Sequence, residues 1–394
     1  MSRRKLLLLV LLAGFAWFNV LYWQDTAFWR RWWDTVTHLE PDRLNLSPTE
    51  VIGPGAVRQL PVASGDSRTI DPAALQASVE YARRFDSFSL IVIHKGIVQL
   101  DWYNEGWNDQ RLTQSQSMHK TVAAILIGIA IEEGLIASVD DPVGDYLSEW
   151  QGDARGAITL RNLMNMSSGL ALPRFTLNPF ATDTSFRFLF SQDRENIVLN
   201  TELAWQPGDH FEYNDINAQI IGMVVERATG RRYADYLGDK LWRPMGGAHA
   251  EVWLDREQGL AMSACCLLAP AMEWARLGVL LEAGGRRDGD QIIPAQWLAE
   301  MLTPSAGNAG YGLFTWLGAG MLEGQKEDVP DYGQSEPYLS DDTYLLLGYG
   351  GQRVFIAPAL DIVIVRLGPF SGMQPLKDGW DNAWLMNTII RGIK

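Results

Sequence analysis

The feature that most constrains this fold is where the strand-forming runs lie in the 394-residue chain. Ser89-Leu-Ile-Val-Ile-His94, the turn Lys95-Gly96 and the run Ile97 to Tyr103 read as a β-hairpin, because β-branched runs flank a glycine-bearing turn. Strand character returns near the other end, at Gln352 to Ala357 and Ile362 to Leu367, with a turn at Pro358 to Asp361 and a helix predicted from about Trp380 to Ile393. Between these ends, Asp140 to Gly247 is rich in helical spacing and turn signals and poor in strand signals. Strands early and late with helices between predict an α+β layering, one sheet assembled from both chain ends, with 140–247 as an inserted, mostly helical subdomain. Repeated βαβ units are not expected.

The chain is longer than one small core needs, and 47% of its residues are hydrophobic, so a large packed domain rather than disorder is expected. The net charge of −14, with scattered basic residues, excludes nucleic acid as a partner, because phosphate neutralisation needs clustered Lys and Arg. The two cysteines, Cys265 and Cys266, are adjacent, which rarely suits disulfide geometry, so buried thiols are expected. His38, His94, His119, His210 and His249 stand far apart without metal-ligand spacing, and no metal is expected.

Ser2-Arg3-Arg4-Lys5 precedes an uncharged apolar stretch from Leu6 to Trp23, which approaches the length of a bilayer span. Residues 1–25 are therefore expected to form a transmembrane anchor. A cleaved signal peptide is the alternative, with Gly14-Phe15-Ala16 as its small-residue site, but the apolar run continues past that point. Basic residues before the span favour a cytoplasmic N-terminus, giving a single-pass inner-membrane protein whose remaining chain lies on the periplasmic side. Phe28-Trp29-Arg30-Arg31-Trp32-Trp33 fits either an interfacial belt or an amphipathic linker. Residues 26–70, with Pro41, Pro48, Pro54 and Pro61, read as a surface connector, leaving 71–394 as the globular unit.

Chemistry is suggested first by Ser117-Met118-His119-Lys120, at the start of a helical pattern that runs from Thr121 to Glu133. On a helix, residues three apart share a face, so the hydroxyl and the amine are within mutual reach. A serine hydroxyl needs a base to become a nucleophile, and an amine serves if burial lowers its pKa. Ser2 and Lys5 share the spacing, so the spacing by itself does not single out the pair, and on that spacing alone a solvated first turn is the better reading. His119 between them points to another face, where packing is expected. Downstream, Trp205-Gln206-Pro207-Gly208-Asp209-His210-Phe211-Glu212-Tyr213-Asn214-Asp215 places a tyrosine and a carboxylate after a Pro-Gly turn. A tyrosine beside Lys120 would relay the proton, its pKa lowered by the ammonium. Tyr233-Ala234-Asp235 repeats the pattern inside an amphipathic helix, where packing is the better reading. Trp274 and Trp316 are likewise assigned to core packing.

Further segments follow in order: Ser138-Val-Asp-Asp-Pro-Val-Gly-Asp-Tyr146, Ile158-Thr-Leu-Arg-Asn-Leu-Met-Asn-Met-Ser-Ser-Gly-Leu170, Glu273-Trp-Ala-Arg-Leu-Gly278, Tyr311-Gly-Leu-Phe-Thr-Trp316 and Gly348-Tyr-Gly-Gly-Gln352. Together with Ser117 to Lys120 and Tyr213 to Asp215, they resemble the class C β-lactamase-related superfamily of serine hydrolases, of penicillin-recognising fold. The resemblance covers roughly residues 80–394 and is greatest to the 6-aminohexanoate-dimer hydrolase branch. It implies a β-lactamase/transpeptidase-like antiparallel sheet, an amidase or esterase activity and no cofactor. By it Ser117 is the nucleophile, Lys120 the base and Tyr213 the proton relay, with oxyanion donors from the backbone of Ser117 and the strand near Gly348 to Gly351. Asp215, Gly348, Tyr349, Gly350 and Gly351 fall on substrate-binding positions. Triad chemistry is the rival mechanism, disfavoured because no G-x-S-x-G turn occurs.

Two departures bear on the substrate. Leu346-Leu347-Gly348 offers no cation where carboxylate-binding members of the family present Lys or His, and Asp215 stands where Asn is commoner. A small neutral or amine-bearing amide or ester is therefore expected. Two alternatives stay open: a catalytically silent protein of the same fold that binds peptidoglycan or another envelope ligand, and a D-alanyl-D-alanine carboxypeptidase or β-lactamase.

Overall fold

The computed structural model describes residues 3–37, 46–321, 333–369 and 379–394, so His38 and Pro41 lie outside the described residues. The two strand-rich ends meet in space. Six strands, β1 (Ser89–His94), β2 (Ile97–Tyr103), β3 (Trp316–Leu317), β4 (Tyr344–Gly348), β5 (Gln352–Ala357) and β6 (Ile362–Leu367), form one antiparallel sheet in the order β2-β1-β6-β5-β4-β3. The junction between the chain ends is the β1–β6 pairing, from Ile362 opposite His94 to Leu367 opposite Ser89.

Every residue of β1, β5 and β6 is buried, the pattern of strands covered on both faces. Neighbouring residues point to opposite faces. Val354 and Val363 meet Gly278 of the helix Ala271–Glu282 on one side. Arg353 and Arg366 reach the other side, to Asn382 of the terminal helix Asn382–Arg391 and to the carbonyl of Phe85 after the helix Pro72–Arg84. The α+β layering with a sheet drawn from both ends is therefore present. The helix Met118–Glu132 is apolar almost all round and buried from Met118 through Ala130, as a central helix must be. It packs against the helix Asp215–Thr229, and Trp297 pins its middle by donating to the carbonyl of Ala124 at 3.0 Å. The stretch 140–247 holds five α-helices and, among its described residues, no strand.

The segment 26–70 is more than a connector. It carries the helix Thr26–Thr37 and the strand Thr49–Ile52, which pairs with Ala250–Trp253 at the edge of a second, four-stranded sheet. Arg31 is buried and donates to the carbonyls of Leu46, Phe190 and Asp255 at 3.0, 2.9 and 2.7 Å, so this residue of the aromatic and basic run faces protein.

The membrane expectation is corrected. Residues Arg3–Gln24 form one helix, but among the described residues no helix is long and apolar enough to cross a membrane. Asn19 interrupts the run, so the stretch free of polar side chains spans residues 6–18. At 1.5 Å per residue that is about 20 Å against the roughly 30 Å of a hydrocarbon core. One side of the later turns meets protein instead. Trp17 stacks on Phe180 at 5.7 Å, the carbonyl of Leu21 accepts from Trp29 Nε1 at 3.1 Å, and Leu21 and Tyr22 pack on the cluster of Phe28, Trp29, Phe186 and Phe190. The single-pass topology falls, and with it the inner-membrane, periplasmic placement that depended on the span.

Candidate active site

Ser117 caps the N-terminus of the helix Met118–Glu132, and Gln116 before it takes a left-handed backbone (φ 50°), rare for a residue with a Cβ and characteristic of functional turns. Three residues on, one helical turn brings the Lys120 amine back to this end. Its Nζ lies 2.8 Å from Ser117 Oγ, 2.8 Å from the carbonyl of Ala264 and 2.7 Å from Asp215 Oδ1. Three acceptors match the three protons of an ammonium group. The Lys120 side chain is only 1% exposed, and burial lowers its pKa while the Asp215 carboxylate pulls the other way.

Tyr213 joins this pair from a distant segment. Its side chain interacts with that of Ser117, and its ring centroid lies 5.0 Å from Lys120 Nζ. Burial, with Asp215 adding, pushes the phenol well above its ordinary pKa, while the interaction with Ser117 works against that rise. The expected lowering by the ammonium is thus reversed, because desolvation of a phenolate outweighs the help of its neighbours. The adjacent Asn214 fixes the geometry: its Oδ1 accepts from Ile216 N at 3.0 Å to cap the helix Asp215–Thr229, and its Nδ2 donates to the carbonyl of Leu170 at 3.0 Å. Asp215 then sits in the first turn, where the helix field favours an anion. Trp316 lies against Tyr213 with centroids 5.9 Å apart and planes within 23°, and Tyr311 meets both rings edge-on. Trp316 is therefore a wall of the site, whereas Trp274 is core, as read from the sequence.

The third segment arrives at the end of β4. A Cβ on Gly348 would lie 2.3 Å from the carbonyl oxygen of Ser115, so only glycine lets this strand approach the serine turn. Gly350 and Gly351 both have positive φ, 73° and 83°, and form the turn into β5. Tyr349 between them and Gly348 is exposed. Two buried guanidinium groups hold this turn. Arg353 donates to the carbonyls of Gly348 and Gln352 at 2.6 and 2.9 Å, and Arg366 to those of Gly350 and Gly351 at 3.0 and 2.8 Å. Leu346 is fully buried, so no cation stands there.

His119 behaves as expected. It is buried, with Nδ1 2.8 Å from the carbonyl of Cys265 and Nε2 3.0 Å from the hydroxyl of Tyr233, and burial lowers its pKa to about 4, leaving a neutral ring. Tyr233 is interior as well. The cysteines are corrected: Cys265 and Cys266 are joined in a disulfide, not free thiols, at a point where Cys266 takes a left-handed backbone (φ 69°). That segment clasps the serine turn, with Ala264 and Cys265 accepting from Lys120 and facing His119, and Leu267 accepting from Ser115 N at 2.9 Å. Among the described residues no group of three or more His, Cys, Asp or Glu is placed to hold a metal ion.

Local pattern does not reveal the carbonyl of Ala264 or the two arginines. The one available signal is a cation inside an otherwise apolar strand, Ile362-Val-Ile-Val-Arg-Leu367, which must find buried acceptors to be tolerated there.

Comparison with known proteins bears on this arrangement. The Beta-lactamase family profile matches residues 73–384. The chain is 22% identical over 293 residues to the 6-aminohexanoate-dimer hydrolase of Paenarthrobacter ureafaciens, covering 71% of each chain. Among solved structures, a Bacillus anthracis protein provisionally described as a 6-aminohexanoate-dimer hydrolase superposes with a TM-score of 0.68 at 18% identity, over 88% of this chain and 89% of that one. A family VIII carboxylesterase superposes with a TM-score of 0.63 at 17% identity, over 87% and 99%. A match running through most of the sequence, on a fold its solved relatives share, makes this chain a member of the beta-lactamase family and a serine hydrolase.

Proposed function

We propose that the chain cleaves an amide or ester bond of a small neutral or amine-bearing substrate through an acyl-enzyme on Ser117, with residues 71–394 as the hydrolase unit and 140–247 as its inserted helical part. The reading rests on one observation above all: Ser117 Oγ lies 2.8 Å from a buried lysine amine, which in turn lies 5.0 Å from the ring centroid of Tyr213. Lys120 in its neutral form takes the proton of Ser117 as Oγ bonds to the substrate carbonyl carbon. The carbonyl electrons become an oxyanion, met by the backbone N–H of Ser117 and an N–H of the turn 349–351, each such donor worth about 3–4 kcal/mol. Tyr213 passes its proton to the leaving nitrogen or oxygen and recovers one from the Lys120 ammonium. Water then repeats the sequence in reverse and releases the acid. The buried Leu346 and the Asp215 carboxylate argue against a substrate carboxylate at this place.

A fluorophosphonate probe tests the reading. It is expected to label the intact chain, to lose labelling in Ser117→Ala, and to label Lys120→Ala at least about a hundredfold more slowly, the usual worth of a positioned base. Equal labelling of wild type and Ser117→Ala overturns the proposal, as does a wild type that takes up no probe over hours. Rapid hydrolysis of penicillins with simple nitrophenyl esters untouched overturns the substrate class.

A further inference from the structure

Asp215 works against the reaction just described. As an ammonium, Lys120 spends its three protons on Ser117 Oγ, the Ala264 carbonyl and Asp215 Oδ1, so the serine oxygen accepts a proton where it has to give one. To become a base, Lys120 must lose a proton; burial favours that loss, and the carboxylate at 2.7 Å opposes it. The other groups that face the amine do not relieve this: His119 is buried and neutral, and Tyr213 keeps its phenolic proton. Yet the two partners are unlike in one respect. The lysine side chain is 1% exposed and the aspartate side chain 42%, so one end of the ion pair is sealed and the other is open to solvent. A carboxylate with one oxygen on the lysine has a second oxygen to offer to another cation.

We infer that Asp215 is a latch opened by substrate: a cationic group on the substrate pairs with the carboxylate, and this releases Lys120 from its ion pair to take the serine proton. The inference rests on the catalytic reading above and adds a coupling between recognition and activation. When the cation binds, Lys120 gives its extra proton to solvent. It then accepts the Ser117 hydroxyl proton as Oγ bonds to the carbonyl carbon, and the proton count of the later steps is unchanged. A neutral substrate leaves the latch closed and reacts through the small fraction of enzyme whose lysine is already neutral.

The test compares two nitrophenyl esters of the same shape, one of 4-(trimethylammonio)butanoate, whose charge does not titrate, and one of the uncharged 5,5-dimethylhexanoate. The full chain is assayed for kcat and kcat/KM across pH. In the wild type the acid limb of kcat, which reports the substrate-bound enzyme, is expected about one pH unit or more lower for the cationic ester, the shift a charge a few ångströms away produces. At a pH on that limb this is at least about a tenfold difference in kcat. The acid limbs of kcat/KM, which report the free enzyme, are expected to coincide. In Asp215→Asn the two kcat limbs are expected to merge, below the wild-type limb for the neutral ester. Coincident kcat limbs in the wild type overturn the latch, and this outcome needs no variant to fold; so does a gap that survives in Asp215→Asn. A Ser117→Ala variant that turns over both esters like the wild type overturns the catalytic reading itself, which separates the two failures.

Discussion

Replacing Arg366 with methionine separates the support of the glycine turn from the chemistry. The guanidinium is completely buried. It donates to Ser87 Oγ and the carbonyl of Phe85 at 2.7 Å each, and to the carbonyls of Gly350 and Gly351 at 3.0 and 2.8 Å, with its Cζ 4.8 Å from the ring centroid of Trp380. Methionine keeps the apolar stem and removes every donor. A buried acceptor left without a partner costs about 1–3 kcal/mol, and four lose their donor here. Against that stands the recovered desolvation of a buried cation, several kcal/mol. The carbonyls of the turn can also take water from the site. The balance is a net loss of about 2–4 kcal/mol of folding stability, inside the range for a broken buried network. Urea unfolding of wild type and variant reads this directly. The same variant tests the link to function, since the turn is held in place from behind by this side chain. An oxyanion donor displaced by about 1 Å costs on the order of a hundredfold in rate, so fluorophosphonate labelling of the folded variant is expected to slow by at least tenfold. A stability change under about 0.5 kcal/mol together with unchanged labelling would refute the claim that Arg366 positions the turn.

Two further outcomes follow from other parts of the fold. Burial first, and then the charge and hydrogen bond of Asp361, raise the Glu282 carboxyl to a pKa of about 7. The folded state therefore keeps a proton that the unfolded chain loses near pH 4.5. The contribution is complete below that pH and is lost as pH rises toward 7, about 1–2 kcal/mol once partial exposure is allowed for. Urea midpoints at pH 5 and pH 8 are expected to differ in the wild type and to converge in Glu282→Gln; the same pH difference in both rules the argument out. For the vicinal bridge, the chain unfolded in urea without reductant is expected to take up no iodoacetamide, and after reduction to take up two equivalents at Cys265 and Cys266 by mass spectrometry. Alkylation without reduction would show free thiols.

What was legible in the sequence is what short-range physics determines. The hairpin Ser89 to Tyr103 and the strands Gln352 to Ala357 and Ile362 to Leu367 lie where their β-branched runs and turns place them, since strand propensity and turn chemistry act over a few residues. The pairing of Ser117 with Lys120 is equally local, one helical turn apart. The N-terminal helix is also local, but whether it spans a membrane depends on its whole length and on what its later turns meet, and Trp17 and Leu21 meet protein. Only the tertiary structure could bring Tyr213 to Ser117, set Asp215 against Lys120 across 95 positions of sequence, or supply the carbonyl of Ala264 from 144 residues away. The same holds for Arg353 and Arg366, whose acceptors are backbone oxygens that no side-chain pattern announces, and for the left-handed Cys266 that lets adjacent sulfurs join. Spacing along a helix dictates which groups meet within a turn, whereas the protonation of a buried amine depends on every charge the fold carries to it.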